Sequence, residues 1–243
     1  MAVFWFTLLV FALSLLYASV GQAGGSGYLA AMALLGMPPA VMKPTALLLN
    51  ILVALVATMK FSRAGSLACA TFWPFAATSV PAAFVGGRLS LTGPVYNTVV
   101  GVVLLYAAYR LVRGVRADAS APARPPAWWL ALVCGSGVGL LSGFTGIGGG
   151  VVLGPLLLAM GWAETRQALG VSAAINLSNS VAGLLGHLSS VKALPGAIPL
   201  WAAAALIGGW IGAEHGSRRF SERGLQWLLA AVLSLAALRL IIA

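Results

Sequence analysis

The sequence predicts an all-α polytopic membrane protein of two inverted repeats, each a glycine-broken helix or re-entrant hairpin followed by three transmembrane helices. Three observations carry this expectation. The 243 residues are 60% hydrophobic and 7% charged, and the apolar residues gather in runs of about 18 or more, the length that crosses a bilayer. Two of those runs are interrupted by glycine clusters, Gly21-Gln22-Ala23-Gly24-Gly25-Ser26-Gly27 and Gly143-Phe144-Thr145-Gly146-Ile147-Gly148-Gly149-Gly150. Landmarks of the first half also recur in the second at a nearly constant offset. Long unbroken apolar runs exclude a β-barrel, whose strands alternate apolar and polar residues.

The elements follow in order. Phe4 to Val20 reads as a helix that breaks at the first glycine cluster, with Tyr28 to Leu35 as a shorter second arm. Its apolar core resembles a signal peptide, but no Lys or Arg precedes it, so it is read as retained. After the turn Gly36-Met37-Pro38-Pro39, a helix starts at Lys43-Pro44-Thr45 and runs to Lys60, with proline in the first turn where a missing N–H costs nothing. Ser66 to Gly87 and Pro94 to Val112 are the next spans, the former holding Pro74 and Pro81. Residues 113–127 carry Arg113, Arg116, Arg124, Asp118 and three prolines, the composition of a polar linker. Trp128 to Ser142 then leads into the second break and an arm to Met160, followed by Gln167–Ser190, Leu194–Ala213 and Gly224–Ile242. The chain therefore divides into a repeat at 1–112, a basic cytoplasmic linker at 113–127 and a second repeat at 128–243.

The repeat is tested by spacing. Gly36 pairs with Gly161, and Gly24-Gly25 with Gly149-Gly150, at an offset of 125. Thr45 pairs with Ser172 and Lys60 with His187 at 127, and Tyr109-Arg110-Leu111 with Leu238-Arg239-Leu240 at 129. If each glycine break turns the chain back, the halves are oppositely oriented and ten of the 14 Lys and Arg fall inside; if the breaks are kinks, the split is eight to six. The positive-inside rule favours the hairpin. The second arms are short for full spans, which leaves both a broken spanning helix and a re-entrant hairpin open.

The formal charge of +10 sits between apolar segments rather than on one basic face. That pattern is topological and argues against nucleic-acid binding. Cys69 and Cys134 stand singly, so neither a disulfide framework nor a metal site is indicated, and no cofactor is called for. Trp5, Trp128, Trp129, Trp201 and Trp227 read as interfacial belt residues.

A break in hydrocarbon exposes backbone groups that are tolerated only inside protein or beside a polar cavity. A break followed at once by a helix offers free N–H groups and the positive end of a dipole, which suits an anion. Asp118, Glu164, Glu214 and Glu222 all fall in linkers or near helix ends, so a cation pathway lacks its usual ligands. Inverted repeats with discontinuous helices are a transporter design, with substrate held at the repeat interface. The residues in position to bind it are Gly24, Gly25, Gly148, Gly149 and Gly150 at the breaks, Gln22, Ser26 and Thr145 beside them, and Lys43. Thr45, Asn50, Ser172, Asn176 and Asn179 join them from the following helices. The same glycines also permit close helix packing, and the hydroxyls and amides also serve as caps or interhelical hydrogen bonds. Lys43 also reads as a snorkelling lysine. His187, near a span end, is the candidate for proton coupling.

Gly146-Ile147-Gly148-Gly149-Gly150, Pro155, Gly161 and Gly170-Val171-Ser172, with the looser copy Gly24-Gly25, Gly36 and Lys43-Pro44-Thr45, resemble the half-repeat of the TauE/SafE sulfite-exporter family. The resemblance spans essentially the whole chain. It implies a multi-pass permease of the bacterial inner membrane, not an enzyme, that moves sulfite, organosulfonates or related sulfur anions outward, with proton coupling a further feature. It leaves open which anion is carried and whether the chain forms a homodimer. Gln22 and Ala23 stand where the second copy has Ile147 and Gly148, so the two halves are expected to contribute unequally. Two rival readings are a carrier of another small anion and an intramembrane serine protease. The latter would use Ser26 of the string Gly24-Gly25-Ser26-Gly27 with His187 as base.

Overall fold

The computed structural model describes residues 2–19, 21–89, 93–113, 126–188 and 194–216, together with 234, 237, 238, 241 and 242. Most of the expected linker and most of the last expected span, including Trp227 and Arg239, lie outside the described residues. The elements among them are all helices: α1 (Ala2–Ser19), α2 (Gly25–Leu34), α3 (Pro39–Arg63), α4 (Cys69–Arg88), α5 (Gly93–Arg113), α6 (Trp128–Thr145), α7 (Gly150–Ala159), α8 (Thr165–His187) and α9 (Ile198–Gly216). Four of them are long and apolar enough to cross a membrane: α3, α4, α6 and α8. The ten-residue α2 and α7 rise roughly 15 Å, half the hydrocarbon thickness.

The two broken helices end alike. Gly24 precedes α2 with φ 90° and Gly149 precedes α7 with φ 83°, both in the left-handed region that favours glycine. Neither helix start is capped by a side chain. Both helices stop on the same motif: Met37 N–H donates to Met32 O and Gly36 N–H to Ala33 O, as Trp162 N–H donates to Leu157 O and Gly161 N–H to Leu158 O. This pair of bonds is the Schellman termination, repeated at the 125-residue spacing expected from the sequence.

One helix start lies elsewhere than expected. Pro39, not Pro44, opens α3, because Pro38 is held extended (φ −69°, ψ 143°) by the proline that follows it. Lys43, Pro44 and Thr45 are therefore interior residues, and Thr45 is not a helix cap. Ser172 likewise lies inside α8, whose cap position is Glu164.

The closest packing joins the two halves instead of keeping each to itself: α4 lies against α6, α1 against α9, and α3 against α8. Small residues allow this. A side chain at Gly139 or Gly143 of α6 would run into the α4 backbone at Ser79 or Ala83, and one at Gly212 of α9 into the α1 backbone at Leu15. Backbones brought this close gain dispersion contacts that lipid cannot supply. The first half of the chain thus packs its outer helices on the second half, leaving α3 and α8 at the centre.

Trp5, Trp128 and Trp129 are 61%, 67% and 64% exposed, as belt residues should be. Trp201 corrects the expectation: it is 2% exposed and packs edge-on against Phe6 of α1, ring centres 4.6 Å apart. Its α9 face is the one that the α1 contact covers.

Candidate functional site

The two glycine breaks touch. A Cβ at Gly25 would strike the Ile147 carbonyl of the other break and lie 2.9 Å from Asn50 Nδ2. Asn50, on α3, donates to Ile147 O at 2.9 Å and lies 3.2 Å from both the Asn176 amide and Ser180 Oγ. Asn176, on α8, answers from the other side: with its amide nitrogen turned to Gly148 O (2.6 Å), its oxygen accepts from the Ala23 N–H (3.3 Å). Each central helix therefore sends an asparagine to the break of the opposite half, and Asn176 reaches both. All three asparagines, Asn50, Asn176 and Asn179, are buried to 1% exposure or less. In this conformation the amides fill the space between the breaks.

To one side of the second break, Ser142, Thr145, Ile147 and Gly149 line a closed crevice with Val103, Val138, Leu141 and Val152, too tight here to seat a water. Ser142 Oγ is buried and has no hydrogen-bond partner. A Cβ at Gly149 would come within 3.3 Å of the Ser142 Cβ and 2.9 Å of Asn179 Nδ2. Asn179 itself exchanges hydrogen bonds with Ser79 of α4 at 2.7 and 2.9 Å.

At the first break an aromatic ring takes the corresponding place. Tyr17 precedes Ser142 by the repeat offset of 125, and its ring lies 2.9 Å from where a Gly27 Cβ would stand. Its hydroxyl accepts from Ser26 Oγ at 3.0 Å, while Ser14 and Tyr28 share a hydrogen bond at 2.7 Å. Ser26 thus faces a phenol rather than an imidazole, and His187 Nδ1 lies instead 3.3 Å from Gly87 O. The nucleophile–base geometry that a serine protease needs is missing from this pair.

The other expected site residues divide. Thr145 ties the break itself, its hydroxyl donating to Leu141 O at 2.7 Å and accepting from the Ile147 N–H at 3.3 Å. Thr45 and Ser172 are fully buried with unpartnered hydroxyls, and Ser172 Oγ faces Gly154 of α7. Gln22 is half-buried at the first break, where its N–H donates to Tyr17 O. Gly150 opens α7 against Asn176. Lys43 lies beside Gly146, but its ammonium turns to the end of α4, donating to Gly87 O at 3.1 Å and to Gly86 O and Leu89 O at 3.4 Å. His187 meets the same Gly87 carbonyl.

Ser79, Ser142, Ser180 and Tyr96, whose hydroxyl donates to Thr145 O at 3.0 Å, are participants that the sequence did not single out. A serine in an apolar helix carries no signal of the face it occupies. Ser180 alone had one, lying four residues after Asn176 and so on the same helical face.

A family model described as "Sulfite exporter TauE/SafE" matches residues 6–240. The chain belongs to the TauE/SafE family. It is also 41% identical, over 235 residues and 95% of both chains, to a protein of Sinorhizobium fredii named "Probable membrane transporter protein y4hK". No solved structure matches it significantly. In this TauE/SafE membrane transporter the glycine breaks and central asparagines lie in the buried interior. Among the described residues no carboxylate is buried, whereas Lys43 is, a balance that suits an anion better than a cation.

Proposed function

We propose that this TauE/SafE transporter exports small sulfur-containing anions, sulfite or organosulfonates, by alternating access between two inverted halves. The observation that carries the reading is the meeting of two side-chain-uncapped helix starts, α2 and α7, in the buried interior, one of them beside a free, buried Ser142 hydroxyl. Uncapped N–H groups at a helix start attract negative charge. The anion binds at the second break, between the α7 start and Ser142, once the cleft opens. Asn176 and Asn179 flank it, and the first break, blocked by Tyr17, supports it rather than duplicating it.

The antiparallel course of α3 and α8 supports inversion, with Lys43 and His187 meeting at one end and Lys60 and Arg166 at the other. Gly21 abuts Leu169, and Gly146 abuts Lys43; the glycines are related by 125 residues and their partners by 126. A two-fold relation between the halves produces such crossed pairs. The two ends of the central helices also differ as alternating access requires. The Lys43 end is sealed onto the α4 carbonyls, whereas the Lys60 end holds a cavity of about 490 Å³. Counting basic residues assigns that open end to the cytoplasm. His187, at the sealed end, is the candidate for a coupled proton.

The test is counterflow of labelled sulfite into proteoliposomes preloaded with unlabelled sulfite, competed with sulfonates and carboxylates. Competition by sulfonates alone is expected. Gly149→Leu fills the cleft and should abolish the flux in a folded protein. Undiminished flux in that variant removes the site, and absent flux in the wild type removes the substrate.

A further inference from the structure

The cavity at the open end is built from parts that the transport site does not use. Its lining includes Lys60 and Arg63 from the end of α3, Arg166 from the first turn of α8 and Glu214 from α9. Lys60 pairs with Glu214 and lies 4.2 Å from the centre of the Trp210 ring. Among the described residues, three cations and one acid therefore face a single recess of about 490 Å³. A concave, low-dielectric wall focuses such a field and raises the local concentration of anions.

Two features exceed what topology alone demands. Arg166 lies in the first turn of α8, at the positive end of its dipole, where a cation is disfavoured until an anion joins it. The floor of the recess reaches the transport machinery: Leu169 and Phe61, both lining residues, press on Gly21, where the first break begins. Arginines recognise oxyanions by paired N–H donors, and Glu214 holds the lysine of the same recess.

We propose that this recess is a second anion site, a docking vestibule for small, doubly charged oxyanions. An arriving anion sits between Arg63 and Arg166 and takes Lys60 from Glu214. The binding stands apart from the transport reading; only the onward passage to the second break rests on it.

Sodium sulfate, which is redox-inert, is the probe. It is titrated at constant ionic strength into the detergent-solubilised protein while tryptophan fluorescence is followed, because moving Lys60 changes the surroundings of Trp210. A saturable change is expected, lost in Trp210→Phe and shifted to about tenfold higher concentration in the Arg63→Gln/Arg166→Gln variant. Glu214→Gln, which frees Lys60, should tighten it. In proteoliposomes of known orientation, the double arginine variant should raise the sulfite KM on the vestibule side alone, with the maximal rate unchanged. No saturable change, one that both variants keep undiminished, or a KM raised equally on both sides would overturn the vestibule. Sulfate binding without sulfite flux would instead reject the proposed function and leave the vestibule intact.

Discussion

Gly148 and Gly161 offer a matched pair for measuring what the central amides contribute. Both have positive φ, 90° and 64°, so alanine at either must adopt a left-handed conformation, costing about 1–2 kcal/mol. At Gly161 nothing lies within 4 Å of the added Cβ, and that strain is the whole effect. At Gly148 the Cβ would overlap the Asn50 and Asn176 amides and lie 2.8 Å from Ser180 Oγ. Asn50 and Asn176 must then give up their bonds to Ile147 O and Gly148 O, each worth about 0.6–1.5 kcal/mol. Gly148→Ala should therefore cost roughly 2–5 kcal/mol, about 1–3 more than Gly161→Ala. Thermal unfolding in detergent should separate the variants by roughly 2–12 °C, on the size scaling of a chain this long. Equal melting shifts would refute the claim that the amides lock the breaks together.

Two further outcomes test neighbouring conclusions. Ser142→Tyr installs in the second half the residue that already fills the first; counterflow should fall to background for an overpacking cost of about 1–3 kcal/mol, and persisting flux would argue that the anion passes elsewhere. Trp201→Ala should destabilise by about 3–5 kcal/mol, as buried aromatic truncations do, and Trp128→Ala by no more than about 0.5; similar melting temperatures for the two would contradict the packing of Trp201 against Phe6.

Much of this architecture was legible because hydrocarbon punishes ambiguity. Apolar runs, glycine clusters and charged loops located the described helices to within a few residues. The exceptions have local causes, as at Pro38-Pro39, where a second proline moved the start of α3 and turned Thr45 from a cap into an interior residue. Partnership was less legible. Asn50 and Asn176 could be named as buried amides, but not that each reaches across to the opposite break, because that depends on α3 packing against α8. Trp201 failed for the same reason: a tryptophan near a span end reads as a belt residue until a neighbouring helix covers its face. Lys43 was read as a charge that meets an anion or snorkels to the interface, but its place beside the second break was not legible, because its ammonium direction is fixed by carbonyls 43 to 46 residues away.

The asymmetry between the halves carries the functional argument furthest. The glycines that set the backbone are matched at the repeat offset, while the side chains that decide occupancy are not. Tyr17 stands for Ser142, Leu169 for Lys43 and Lys60 for His187. A repeated backbone gives two related ways of packing one half against the other, which alternating access requires. Unequal side chains then make the two ends respond differently. At one end Lys43 and His187 are buried and meet the carbonyls at the end of α4. At the other, Lys60 and its partner Glu214 are 24% and 55% exposed, where a dissolved anion can replace the carboxylate charge for charge. A dissolved anion therefore reaches the open end first.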